Sequence, residues 1–114
     1  MTSTNNPIEI KNKETGQTIT VDILKLKKAS LILRAINHKL RLQILKLIQS
    51  EEKISVTEIY VKLRLEQSVV SQHLAILRRA GFVTTTRDGK FIYYNINHNR
   101  LDYVVKIVDE LLKN

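Results

Sequence analysis

The chain has 114 residues, with 19 Lys and Arg against 11 Asp and Glu and a formal net charge of +8. At 43% hydrophobic residues with one Pro and three Gly, it is expected to form one mostly helical globular domain that buries roughly two-thirds of its unfolded surface. The lack of cysteine excludes disulfides, thiol nucleophiles, thiol redox sensing and thiolate metal sites, while the positive surplus favours a polyanionic partner without separating DNA, RNA and membrane surfaces.

The N-terminus lacks a basic region followed by an apolar run, so no signal peptide is visible. No apolar run approaches the roughly 20 residues needed to span a bilayer. The protein is therefore expected to be soluble and cytoplasmic.

Met1 to Asn6 are polar and expected to fray. Ile8-Glu9-Ile10 and Thr18-Ile19-Thr20-Val21 then alternate apolar with polar around Glu14-Thr15-Gly16-Gln17. That pattern suits a short hairpin, but an unstructured arm is equally open, because an isolated two-stranded ribbon is marginal in water. Residues 1–21 read as this arm or short hairpin, and residues 22–114 as the main domain.

Asp22 can cap a helix running to about Asn37. Its apolar residues (Ile23, Leu24, Leu31, Ile32, Leu33, Ala35, Ile36) are too many for one narrow stripe. The next helix, about Lys39 to Gln49, is expected to turn Leu42, Ile44, Leu45 and Ile48 inward, with Lys39, Arg41 and Lys46 outward. Ser50-Glu51-Glu52-Lys53 reads as a polar connection. Ser55-Val56-Thr57-Glu58 matches a capping box, in which the Ser hydroxyl and the Glu carboxylate each satisfy the other's backbone N–H. A short helix follows to about Leu63, burying Ile59 and Leu63, and Arg64-Leu65-Glu66 makes a turn.

The helix starting near Gln67 carries the most specific signal. Val70, Leu74 and Leu77 share one face at i, i+4 and i+7. Ser68, Ser71, Gln72, Ala75 and Arg79 share the other. A face that is merely solvated is usually rich in Glu and Lys. Short hydrogen-bonding side chains ending in a basic pair suit close approach to the DNA major groove, where Gln and Ser reach base edges and Ala meets a thymine methyl. An ordinary solvated face is the alternative. Because the first residues of a recognition helix usually reach the bases, Gln67, Ser68, Ser71 and Gln72 are the candidate readers. His73 lies between the two faces and is expected to be a structural or phosphate-contacting residue rather than a metal ligand. Arg78 and Arg79, at the far end, suit either phosphate contact or the helix dipole.

Gly81 fits the left-handed position after a helix. Beyond it the period changes to two over Phe82 to Thr86 and Phe91 to Ile96, with Asp88-Gly89 between as a hairpin signal. Two helices joined by a short turn and followed by a hairpin form a winged helix-turn-helix. The expected fold is thus mainly α, about five helices plus a two-stranded wing. Arg87 and Lys90 flank the wing turn and are candidates for phosphate or minor-groove contact. Asn97 can cap a last helix to about Lys113, with an apolar stripe of Leu101, Val104, Val105, Val108, Leu111 and Leu112.

The first and last helices hold more apolar surface than a small helix-turn-helix core covers. Pairing two copies would bury Leu24 and Leu31 together with the stripe of the last helix. It would also set two recognition helices on a palindromic operator. The alternative is that both helices only complete the monomer core. Catalysis finds no support, because no Gly-rich phosphate loop, Gly-x-Ser-x-Gly or His-Glu-x-x-His occurs, and no cofactor is expected.

The segments His38 to Leu45, Val70 to Val83 and Arg87 to Tyr94 together resemble the ArsR/SmtB family of bacterial winged-helix repressors, over about Ala29 to Lys113. The V-S-x-H-L-x-x-L-x-x-A-G-hydrophobic-V run carries most of the resemblance. It implies a homodimer formed by the first and last helices, bound to an operator and released by an inducer. The departures are informative. Thiolate-sensing members place a Cys-x-Cys pair where this chain has Ser55 and Thr57. Members that sense metal on the last helix use acid and histidine pairs whose positions here fall on His98 and Arg100 and near Leu111 and Asn114. The family's known metal sites are therefore expected to be absent. Two other readings stay open: a winged-helix module that binds protein, and a metal sensor with an unfamiliar site using His98 and acids such as Asp102.

Overall fold

The structure is a computed structural model and describes residues 7–114, so Met1 to Asn6 lie outside the described residues. It divides into two compact units, Met1–Leu33 and Arg34–Asn114.

In the first unit, β1 (Ile8–Lys11) and β2 (Thr18–Val21) pair antiparallel, with Ile8 opposite Val21 and Ile10 opposite Ile19. The two-residue alternation places these four β-branched side chains on one face. The connection is held by Asn12, whose Oδ1 accepts from the N–H groups of Glu14 (2.9 Å) and Thr15 (3.3 Å). The alternation thus forms a hairpin rather than an unpaired arm. Helix α1 (Ile23–Ile36) opens as expected on Asp22, whose Oδ1 accepts from the N–H groups of Leu24 and Lys25. Leu24, Leu26 and Leu31 are exposed along it.

The second unit takes in the last turn of α1 and continues through α2 (Lys39–Ser50), β3 (Ile54–Ser55), α3 (Val56–Leu63), α4 (Gln67–Arg79), β4 (Val83–Asp88), β5 (Phe91–Ile96) and α5 (His98–Leu111). Five helices and an antiparallel wing give the winged-helix fold read from the sequence. Its core draws Ile44, Leu45 and Ile48 from α2, Ile59 from α3 and Val70, Leu74 and Leu77 from α4. Ile54, Phe82, Val83 and Val104 complete it.

Helix α2 departs from expectation at two positions. Arg41, expected outward, is buried, whereas Leu42, expected inward, is 51% exposed. The buried stripe runs through 41, 44, 45 and 48, and Leu42 sits about 100° around the helix from Arg41. Arg41 tolerates burial because its guanidinium finds acceptors, described below. The helix also opens on a side chain the sequence did not suggest as a cap: His38 Nδ1 accepts from the N–H groups of Leu40 (3.2 Å) and Arg41 (3.5 Å).

Strand β3 was not anticipated. Ile54 and Ser55 pair with Tyr94 and Tyr93, extending the wing to a three-stranded sheet of order β3-β5-β4. Two residues are too few to show an alternation. Ser55 then passes directly into the capping box of α3: its N–H and hydroxyl both donate to Glu58 Oε1, and its Oγ accepts from the Glu58 N–H. A cap of this kind contributes about 0.5–2 kcal/mol.

On α5, Asn97 Oδ1 accepts from the Arg100 N–H, as a cap should. Val104 faces the chain's own core, whereas Val105, Leu111 and Leu112 are exposed and Leu101 and Val108 are half-buried. Of the stripe assigned to dimerisation, Val104 is therefore the residue already covered within a single copy.

Candidate nucleic-acid interface

Between α3 and α4 the chain turns tightly. Arg64 adopts φ 55°, its N–H donates to Val61 O, and the Leu65 N–H donates to Tyr60 O. A left-handed conformation costs a side-chain-bearing residue roughly 1–2 kcal/mol, so the packing of the two helices must hold it. With Val70, Leu74 and Leu77 buried beneath, α4 presents Gln67, Ser68, Ser71, Gln72, Ala75, Arg78 and Arg79 outward, all exposed. Glu66 precedes the helix without forming a side-chain cap. The first-turn N–H groups therefore stay open toward whatever this face meets.

The far end of α4 is fixed to the wing by backbone geometry. Gly81 lies at φ 87°, its N–H donates to Arg78 O, and the Phe82 N–H donates to Leu77 O. This is a Schellman closure, which needs a left-handed residue at that point. Arg100 Nε donates to Ala80 O (3.2 Å), and a Cβ on Gly81 would stand 3.3 Å from that same nitrogen. The start of α5 thus clamps the α4–β4 junction, and Phe82, fully buried, anchors the chain as it enters the wing.

At the wing tip, Asp88 pairs with Phe91, leaving Gly89 and Lys90 as a two-residue turn. Gly89 supplies the positive φ (63°) that such a turn demands at its first position. Arg87 and Lys90 are exposed. Asp88 is the single acidic residue from 83 to 96, and Lys53, just before β3, donates to its Oδ2 at 2.9 Å. The same ammonium lies 4.3 Å from the centre of the Tyr93 ring. The hydrogen bond to Asp88, then its charge, raises the Lys53 pKa above the ordinary lysine value. An exposed pair like this adds little stability. Its electrostatic effect matters more, because it offsets the one negative charge on the wing and leaves the tip positive.

His73 does not stand free on the α4 face. It is half-buried, its Nδ1 is 3.2 Å from Arg41 Nη1, and its ring centre is 4.8 Å from that of His38. Burial first, then the charges of His38 and Arg41, lower its pKa below the ordinary imidazole value. Neither Arg41 nor Lys53 was singled out from the sequence. A charged residue at a buried helical position, and a lysine opposite an acid 35 residues later in the chain, give no local signal.

A family model described as "Bacterial regulatory protein, arsR family" matches residues 38–85, from the cap of α2 into β4. An HTH-type transcriptional regulator of Methanocaldococcus jannaschii is 37% identical over 87 residues, covering 76% of this chain and 98% of that protein. The transcriptional repressor PagR of Bacillus anthracis is 30% identical over 91 residues, 80% of this chain and 91% of PagR. The chain belongs to the ArsR/SmtB family. The crystal structure of the transcriptional regulator HlyU from Vibrio vulnificus has a TM-score of 0.57 at 36% identity, over 80% of this chain and 94% of that one. This ArsR/SmtB member is a DNA-binding transcriptional regulator, and its family and relatives are regulators rather than enzymes.

Ser55 and Arg100, at positions that the resemblance relates to metal sites, are engaged within the fold. Ser55 is buried and committed to the α3 cap, and Arg100 brings a cation already bonded to Ala80 O. Asp102, an acid that could complement His98, is paired with Lys106 at 2.9 Å. Among the described residues, no group of three or more His, Cys, Asp and Glu side chains could hold a metal ion.

Proposed function

We propose that this regulator is a dimeric repressor that reads a palindromic operator with the exposed face of α4 and holds phosphate with the wing. The observation that carries this reading is the composition of that face: Gln67, Ser68, Ser71 and Gln72 are short, polar and exposed, and they sit at the end of the helix that usually reaches the bases. His73 supports them from behind. Arg79 at the far end of α4, with Arg87 and Lys90 on the wing, contacts the DNA backbone.

Two copies associate through the apolar side chains that single copies leave uncovered. These include Leu24 and Leu31 on α1, with Val105, Leu111 and Leu112 on α5, flanked by the half-buried Leu101 and Val108. Sedimentation at micromolar concentration should give a dimer; a stable monomer would contradict this assignment. The protein acts in the cytoplasm, where its DNA is, without catalytic activity, and it responds to a signal other than a metal at the family's known sites. No described helix is long and apolar enough to cross a membrane.

The test is binding to duplexes selected from random DNA. Sequence-selective affinity that falls steeply with salt supports the reading. Binding indifferent to sequence and salt would point instead to a protein-docking winged helix. Within the same assay, Arg87→Ala should weaken binding evenly across sequences and reduce the salt slope by about one.

A further inference from the structure

Among the described residues Arg41 is the one charged side chain that the fold buries. Among these residues no carboxylate is paired with it. Its Nε donates to Ala35 O (2.6 Å) and its Nη2 to Arg34 O (3.0 Å), two carbonyls in the last turn of α1 that have no helical partner of their own. The negative end of that helix offsets the guanidinium charge. The remaining nitrogen, Nη1, lies 3.2 Å from His73 Nδ1 on α4. A guanidinium only donates, so His73 Nδ1 must accept, which requires a neutral ring with its proton on Nε2.

We propose that Arg41 is a positioning residue for the recognition helix: through His73 it fastens α4 to the α1–α2 junction, and protonation of His73 undoes the fastening and weakens operator binding. The proposal rests on α4 being the DNA-reading helix. A proton on Nδ1 would set donor against donor and cation against cation at 3.2 Å. The ring would then have to turn away, and α4 would lose this hydrogen bond to that junction. Burial, His38 and Arg41 all make the fastened ring reluctant to take up a proton. Of the elements packed on α4, α2 and its cap supply these charges. Among the described residues, the ionisable groups of α3 (Glu58, Tyr60, Lys62) and of β4 (Arg87, Asp88) make no hydrogen bond to the ring, whose partner is Arg41.

The sign follows from linkage. His73 has a lower pKa fastened than free. The fastened state therefore keeps its full stability above the free imidazole value of about 6.5 and loses it as the pH falls through the lowered value. The loss cannot exceed about tenfold per pH unit for each proton taken up. Simple electrostatics predicts the opposite, since extra positive charge on histidines tightens DNA binding.

The experiment measures affinity for a duplex that the wild-type protein selects at pH 7.5, from pH 7.5 to 5.5 at constant ionic strength, with far-UV circular dichroism confirming the fold throughout. Wild type should lose about three- to tenfold in affinity. His73→Asn, whose Oδ1 can accept from Arg41 without titrating, should lose this dependence. Arg41→Lys should bind less well at pH 7.5 and vary less with pH. Affinity that stays flat or rises on acidification in the wild type would overturn the proposal, as would a His73→Asn profile falling as steeply as wild type. If a variant fails to fold, the wild-type profile and the NMR titration of His73 decide, and a midpoint at or above that of free imidazole counts against the proposal. Absence of selective binding at pH 7.5 would instead strike the assignment of α4.

Discussion

Replacing Ser71 and Gln72 together with alanine is expected to reduce operator affinity by about 1–3 kcal/mol for each base that is no longer read, with little change in affinity for unrelated DNA. Both side chains are exposed on α4, one turn in from its open N-terminus, with the buried Val70 and Leu74 on the opposite face. Alanine is a better helix former than either residue, so the helix itself should not suffer. Because the two residues are neighbours, their effects need not add, and each single variant should be measured beside the pair. Thermal unfolding should stay close to that of wild type. Operator affinity retained in full by the double variant would remove these residues from the reading set.

The largest effect on stability is expected at Phe82. Its ring is fully buried where α4 ends and the wing begins, its N–H closes the Schellman motif on Leu77 O, and its carbonyl accepts from Asn97 at the start of α5. Phe82→Ala leaves these backbone bonds possible but opens a cavity under the junction. A loss of about 3–5 kcal/mol is expected by denaturant titration, a large part of the roughly 5–15 kcal/mol that holds a typical domain. If stability fell by less than about 1 kcal/mol, the core would have to be able to close over the gap.

These predictions draw on elements that differed in how openly the sequence displayed them. The periodicity of Val70, Leu74 and Leu77, the Ser55–Glu58 box, Gly81 and the Asp88-Gly89 signal are local features, and each element they announced is present. What escaped the sequence depends on contacts between distant residues. Arg41 looks like a surface residue until the carbonyls of Arg34 and Ala35 and the ring of His73 converge on it. Its burial takes the position that a simple stripe would have given to Leu42. Strand β3 exists because Tyr93 and Tyr94 offer it an edge, and nothing within Ile54-Ser55 announces it. His38 became a cap through its ring nitrogen, a role more often filled by Ser, Thr, Asp or Asn.

The exposed face of α4 and the wing follow the same division. Exposure of Gln67, Ser68, Ser71 and Gln72 follows from helical spacing alone. The charge balance of the wing does not, because it depends on Lys53 meeting Asp88. Arg87 lies in β4 and Lys90 in the turn, and the neighbouring Asp88 is already paired, so the positive charge of the wing tip is largely uncancelled.

The most direct measurement is a cycle between protein and DNA. Wild-type protein and the Ser71→Ala/Gln72→Ala variant are each titrated against one operator in which every base pair is substituted in turn. If α4 reads bases through these side chains, wild type should be sensitive at a few positions, repeated symmetrically in both half-sites, and the variant should lose that sensitivity there and nowhere else. An unchanged pattern of base-pair sensitivities in the variant would contradict the account.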